Sequence, residues 1–450
     1  MVKTMKNDYE KNSQFIFFII SVCFVLIIIF LFKTVFLKSD ILPNSYNPRI
    51  GNENVLTQRG KIFDVNENLL ADNFENGERN YLYPEVFAHI IGYKNDGAAG
   101  IEKKYDFELS HSDNDFIGVL KEIFLGEKLY GKDVYLSVDK NLQEFIFSIL
   151  KNKGSIIVMH PSSGKICAMV SKPSFNPNDI EKFKADKKNA PLLNRATQGL
   201  YPPGSVFKII TTIAAMRHIN LSEFSYKCTG IENFGKDNIH CFNSHVHGKE
   251  NIKDAFTVSC NTFFATLGDI LGNKNLLTQI KNLRVDKNFN FELEHNICSI
   301  GLNEDSDRSE LIQTAIGQGK TLVTPLYMAM ITSAIANGGT IMQPSITQRI
   351  GNKFIAAKKI ATILTKDEAD FLTDLMEEVV VSGTAKRVYM KDIKLAGKTG
   401  SAENPLGKDH GWFVVFNKEN DFAISILLEN AGGSVKAVDL ARQIINFMIK

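Results

Sequence analysis

The chain has 450 residues, of which 44% are apolar and 23% charged, and its formal net charge is +2. That length suits two or three domains and a sizeable core, and the near balance of charge excludes a whole-protein attraction to nucleic acid. The six cysteines, at 23, 167, 228, 241, 260 and 298, include no C-x-x-C pair and no clustered histidine, so neither a metal nor a cofactor is expected.

Residues 1–14 form a short tail. Phe15 to Phe32 carry no charge, and with the mixed flank Thr34 to Leu37 the apolar stretch reaches the roughly 20 residues of a bilayer crossing. Bulky Phe and Leu run straight into Lys33 with no small-residue cleavage site, which predicts an uncleaved anchor over 15–37 rather than a signal peptide. Lys3, Lys6 and Lys11 precede the span and Lys33 and Lys38 follow it, a weak bias to a cytoplasmic N-terminus. No second apolar run of that length follows, so the remainder is expected on one side of the membrane.

Residues 38–131, polar and punctuated by Asn, Gly and Pro, predict a small β-rich pedestal. The pattern changes at 132. A strand over Val134 to Val138 leads into a helix with Leu142, Phe145, Ile146 and Ile149 on one face, and "GSIIVMHPSSGKICAMVS" reads as a hairpin. Ser205 to about Ser345 is mostly helical in period, including "TPLYMAMITSAIANGG". The tail supplies the strands "KLAGKTGSAE", "GWFVVFN" and "FAISILLEN", then an amphipathic helix over Val435 to Ile449. Strands, a helical block, strands and a last helix predict an α+β domain over 132–450 whose two ends build one sheet.

In "LYPPGSVFKII", Pro203-Gly204 cannot continue a helix and the apolar run after them can, so Ser205 stands at a loop-to-helix junction. Lys208, three residues on, shares its face; a lysine made neutral by burial is a base for that hydroxyl, and helix N-terminal N–H groups favour an oxyanion. S-x-x-K alone is weak, since it recurs at Ser137, Ser148 and Ser162, as S-x-N recurs at Ser45, Ser112 and Ser174. Order distinguishes one set: Ser205-x-x-Lys208, then Ser259-Cys260-Asn261, then Lys398-Thr399-Gly400.

That series resembles the three-motif signature of the penicillin-recognising serine acyltransferases. The likeness extends through "TQRGKIFDVNENLLA", "HIIGYKNDGAAGIEKKYDFEL" with Gly100 and Glu102, "NRATQGLYPPGSVFK", "IGQGKTLVTPLYMA", "SGTA" and "KTGSAE", so the chain is identified as a member of the class B penicillin-binding proteins. The resemblance implies the penicillin-binding transpeptidase fold: an antiparallel sheet with helices on both faces, plus a helical subdomain. It also implies D,D-transpeptidation of peptidoglycan stem peptides ending in D-Ala-D-Ala, with β-lactams as acylating mimics and a membrane glycan polymerase as partner. Ser205 would then be the nucleophile, Lys208 its base, and Ser259 with Asn261 the relay. Lys398, Thr399, Gly400 and Ser401 would bind substrate, with backbone N–H groups of Ser205 and Ser401 as oxyanion hole. Val65 departs from the family pattern, which has Arg there, and is expected to weaken an ion-pair network of the pedestal.

Trp412 and Phe413 read as core, His410 as a loop histidine and Glu403 as a cleft or strand-end carboxylate. Cys228 and Cys241 bracket "CTGIENFGKDNIHC" and would either pair in an oxidising exterior or remain thiols. A D,D-carboxypeptidase or β-lactamase is the competing hydrolytic reading, and a β-lactam sensor or polymerase scaffold the non-enzymatic one. The pedestal signatures favour a synthase.

Overall fold

The computed structural model describes residues 2–32, 58–94, 97–111, 130–405 and 407–449. The chain forms two compact units, residues 1–58 with 110–131, and residues 59–109 with 132–450. In the first, helix α1 (Val2–Phe32) exposes an apolar surface, with Phe15, Phe17, Phe24 and Phe30 each at least 64% accessible. Among the described residues no helix is long and apolar enough to cross a membrane. Lys33 and the flank 34–37 of the expected anchor, and stretches 38–57 and 112–129 of the expected pedestal, lie outside the described residues.

The second unit is built on two sheets. The larger is antiparallel in the order β9 (Ala396–Ala402), β10 (His410–Asn417), β11 (Phe422–Leu428), β5 (Gly154–Met159) and β6 (Ile166–Lys172), so strands from both ends of the domain share it. β5 and β11 are buried at every position, the mark of a sheet covered on both faces. The buried helix α6 (Pro325–Ala336) packs on β5, β10 and β11. Thr324 caps it by accepting from Tyr327 N, and Pro325 occupies a first-turn position whose missing N–H costs nothing. Helix α7 (Val435–Ile449) packs on β10, β11 and α2 (Lys140–Ile149), where Phe447 stacks on Phe145 at 4.3 Å. The helical block between the hairpin and the tail is interrupted by short strand pairs, Tyr226–Cys228 with Gly248–Glu250 and Ile231–Asn233 with Asn238–His240, which the helical period does not foretell.

The smaller sheet runs β8 (Lys353–Phe354), β7 (Thr347–Ile350), β4 (Val134–Leu136), β1 (Ile62–Phe63), β2 (Leu69–Asn73) and β3 (Arg79–Tyr81). Its strands come from both sides of the expected boundary at 131, and residues 59–109 share one unit with the rest. Ser137 N and Oγ both donate to Ile346 O, at 2.6 and 3.0 Å. This part of the unit holds an ion-pair network: the fully buried Glu102 accepts from Arg59 at 2.6 Å and from Arg79 at 2.7 Å, and Arg59 also pairs with Asp106. Val65 itself is 39% exposed.

Candidate active site

Ser205 lies in a 3-10 turn, Gly204–Phe207, that runs directly into helix α3 (Lys208–His218). With three residues per turn, positions 205 and 208 eclipse, which puts the serine and the lysine over one another. Gly204 has φ +56°, and a Cβ there would stand 2.5 Å from the Ser401 carbonyl oxygen, so only glycine lets the serine turn lie this close to β9. Gly204 N donates to Gly317 O at 2.7 Å, and a Cβ on Gly317 would meet Gly204 O at 1.9 Å. The turn is thus wedged between the strand and the "IGQG" loop. Trp412, fully buried in β10, donates its indole N–H to Pro202 O at 2.9 Å and fixes the approach to the turn; Phe413 is core as well.

Every residue from Lys208 to Ala215 is buried, so Lys208 enters the interior as the first residue of an apolar helix. Its Nζ donates to Ser259 O and Asn261 Oδ1, each at 2.7 Å, and more weakly to Ser259 Oγ at 3.3 Å. Burial lowers its pKa from 10.5 to about 8, against the raising influence of Cys260, Cys241 and Glu250. Ser259 is not on a helix, as the motif's setting suggested; it occupies the turn between α4 (Ile252–Thr257) and α5 (Asn261–Asn282) at φ +61°. Non-glycine residues seldom hold that conformation, and such strain concentrates where a side chain must be aimed. Asn261 also donates to His240 O at 2.8 Å, tying the motif to the Asn238–His240 strand.

From the other wall Lys398 Nζ, fully buried in β9, donates to Ser259 Oγ at 2.8 Å. Burial first, and the Lys208 charge second, hold its pKa well below 10.5. Two buried ammoniums therefore address one hydroxyl, and the cheapest state of the pair has one of them neutral. Thr399, 4% exposed, shares a 2.5 Å hydrogen bond with Thr384. Gly400 carries no side chain where a Cβ would crowd Pro203 O and Val206 at 3.1 Å. Ser401 pairs with Gly411 across the sheet and its carbonyl accepts from Gln318 Nε2 at 3.4 Å. Lys208 and Lys398 thus converge on Ser259, Asn261 holds Lys208 from the side, and the Ser205 turn packs directly against the Gly400–Ser401 stretch of β9.

Sequence reasoning assigned no role to Thr384, Gln318 or Gly317, although all three fall in the quoted "SGTA" and "IGQG" stretches. Glu403 is exposed and His410 accepts from Asn430 N at 3.2 Å, away from the lysines' network. The expectation that no histidine stands with the cysteines is overturned. Folding brings Cys228, Cys241, Cys260 and His247 together with their ligand atoms within 4.8 Å of one another, directly behind the Ser259 turn. Cys228 and Cys241 are free thiols with Sγ atoms 3.7 Å apart.

The fold and the order of these motifs define a serine acyl-transferring enzyme. Residues 154–446 match the penicillin binding protein transpeptidase domain, and the chain belongs to that family. Peptidoglycan D,D-transpeptidase PbpA of Mycolicibacterium smegmatis is 28% identical over 90% of each chain. Among solved structures, the D,D-transpeptidase domain of a peptidoglycan glycosyltransferase from Eggerthella lenta is 27% identical with a TM-score of 0.79, covering 88% of this chain and 99% of that one. Penicillin-binding protein A of M. tuberculosis as its imipenem acyl-enzyme complex is 26% identical with a TM-score of 0.81, with the same coverage. By family, this chain is a peptidoglycan D,D-transpeptidase.

Proposed function

We propose that the chain forms its cross-links by two acyl transfers through Ser205. Ser205 Oγ attacks the carbonyl carbon of the penultimate D-Ala of a stem peptide while its proton passes to Lys208. The C–N bond to the terminal D-Ala breaks, and that amine takes a proton relayed through Ser259 and leaves. An amine of a neighbouring stem then attacks the ester, its proton returns to Ser205 by the same relay, and the new amide is the cross-link. Asn261 orients Lys208 and the substrate amide, while Lys398 and Thr399 hold the substrate carboxylate, a charge and a hydroxyl suited to an anion. The Ser205 and Ser401 N–H groups receive the oxyanion.

The observation that carries these roles is the meeting of Lys208 and Lys398 on Ser259 Oγ, which connects the base to the carboxylate-binding strand through one transferable proton. β-Lactams, whose ring amide replaces the D-Ala-D-Ala bond, acylate Ser205 without releasing a leaving group, so the adduct persists. Labelled penicillin should bind the protein covalently and survive denaturation. Ser205→Ala should abolish labelling with the fold intact, and an adduct mapped to another serine would overturn the assignment.

The same proposal places an anchor over 15–37, the N-terminus in the cytoplasm and the catalytic unit outside it. Its supports are the exposed apolar surface of α1 and a substrate class that lies beyond the membrane. Protease added to intact spheroplasts should remove the large unit; full protection would reject this topology. A membrane glycan polymerase as partner is supported by the family resemblance alone.

A further inference from the structure

We propose that Gln318 is a positioning residue of the acyl transfer: with the carbonyl of Gly317 it sets the spacing between the Ser205 and Ser401 N–H groups that receive the oxyanion. The inference rests on the acyl-transfer reading above and adds to it a residue outside the three motifs.

The two donors stand on separate walls. Ser205 belongs to the turn Gly204–Phe207, and Ser401 to β9, the edge strand of the larger sheet. An oxyanion hole works only when both N–H groups reach one oxygen at about 2.7–3.1 Å, so the separation of the walls decides the rate. Ser401 pairs with Gly411 of β10, yet its carbonyl faces away from that strand. It accepts from Gln318 Nε2 at 3.4 Å and lies against Gly204, on which a Cβ would stand 2.5 Å from it. In an antiparallel ladder the N–H and C=O of one residue turn to the same side, so the Ser401 N–H also leaves the sheet toward the serine turn.

Two adjacent residues of the "IGQG" loop hold both walls. On one side Gly204 N, the amide just before Ser205, donates to Gly317 O at 2.7 Å. On the other, the Gln318 side chain takes two groups of the free edge of β9: Nε2 donates to Ser401 O, and Oε1 accepts from Glu403 N at 3.3 Å. Its amide therefore covers the edge just past Ser401 as a neighbouring strand would. The loop is itself pinned to the end of the helix Arg308–Ala315, Gly317 N donating to Thr314 O at 2.9 Å and Gln318 N to Gln313 O at 2.8 Å. The contact of Gly204 with Ser401 stops the walls from closing further, and the Gln318 amide keeps them from parting. Both of its bonds to β9 are long, so its loss displaces an oxyanion donor rather than deleting one.

The test follows acylation of the full-length protein in detergent by benzylpenicillin, with reversible binding and the acylation step resolved. Gln318→Ala and Gln318→Met, the second keeping length and bulk but neither hydrogen bond, should each slow the acylation step about 10- to 100-fold, short of the about 10²- to 10³-fold of deleting a donor. Reversible binding and melting temperature should stay as in the wild type. The acyl-enzyme gives a readout that a purely structural role leaves alone. Hydrogen bonds to the ester carbonyl lower its stretching frequency, so infrared difference spectra taken with a ¹³C-labelled β-lactam carbonyl should show that band at higher frequency in both variants. An unshifted band overturns the proposal, as does unfolding of both variants, which would make Gln318 a structural residue. If one variant fails to fold, the band of the other decides. A wild type that forms no adduct on Ser205 overturns the acyl-transfer reading and this inference together, whereas a normal wild-type adduct with unshifted bands in the variants overturns this inference alone.

Discussion

Lys398 reaches the Ser259 hydroxyl at 2.8 Å, and the same oxygen lies 3.3 Å from Lys208. Removing either end of this relay removes much of what the other can do. Ser259→Ala and Lys398→Ala should each slow β-lactam acylation, in the range of about 10²- to 10⁴-fold that positioned proton transfer contributes. The double variant should lose far less than the product of the single losses. Stopped-flow acylation rates for the four proteins check this; losses that multiply would show that the residues act independently.

The rate should also depend on pH with a defined sign. A lysine serves as base only when neutral, and with Lys208 at about 8 roughly a tenth of molecules carry the neutral form at pH 7. Acylation kcat/KM should therefore rise about tenfold per pH unit below 7 and flatten above 8. In the proposed role Lys398 binds the substrate carboxylate as a cation, and burial holds its pKa well below 10.5, so loss of its proton should lower the profile through KM rather than kcat. A flat profile between pH 6 and 8, measured on the full-length protein, would exclude Lys208 as the base.

Gly204→Ala adds a methyl group 2.5 Å from the Ser401 carbonyl at a backbone angle of φ +56°. The serine turn must then separate from β9. Covalent labelling should drop by orders of magnitude while thermal stability falls only by the few kcal/mol of a strained site. Labelling at the wild-type rate would mean that the close approach is dispensable.

Glu102→Ala leaves the buried Arg79 without its counter-charge and Arg59 with only the exposed Asp106. Breaking a buried pair in this way costs about 3–5 kcal/mol, so denaturant unfolding should shift to lower midpoint by that amount. Glu102→Gln keeps the acceptor and shape and should cost less. Equal stability of all three proteins would show that the network contributes nothing.

The family was legible because its motifs are local and ordered: a Pro-Gly break before Ser205, a lysine one turn on, and two motifs in a fixed sequence. The hairpin β5–β6, helix α6 and the closing strands and helix were equally readable, since their periods of burial are those of fully covered strands and helices. Other features exist only after folding. The cysteine–histidine cluster joins residues 13 and 19 positions apart, spacings that match no ligand motif. The positive φ of Ser259 could not be read from S-x-N, which looks the same in a helix. Arg79 as second partner of Glu102 was hidden because nothing in its neighbourhood marks it.

The smaller sheet places β4 between β1, near the start of the second unit, and β7, more than two hundred positions later. During synthesis β1 and β4 emerge early, and β4 keeps a bare edge until β7 arrives, since Ser137 and Ile346 are 209 residues apart. An unpaired edge of this kind recruits whatever strand is available. The early segment therefore carries an open strand edge until the last third of the chain appears. A fragment begun at residue 132 would reproduce that hazard permanently by stripping β1 from the other side.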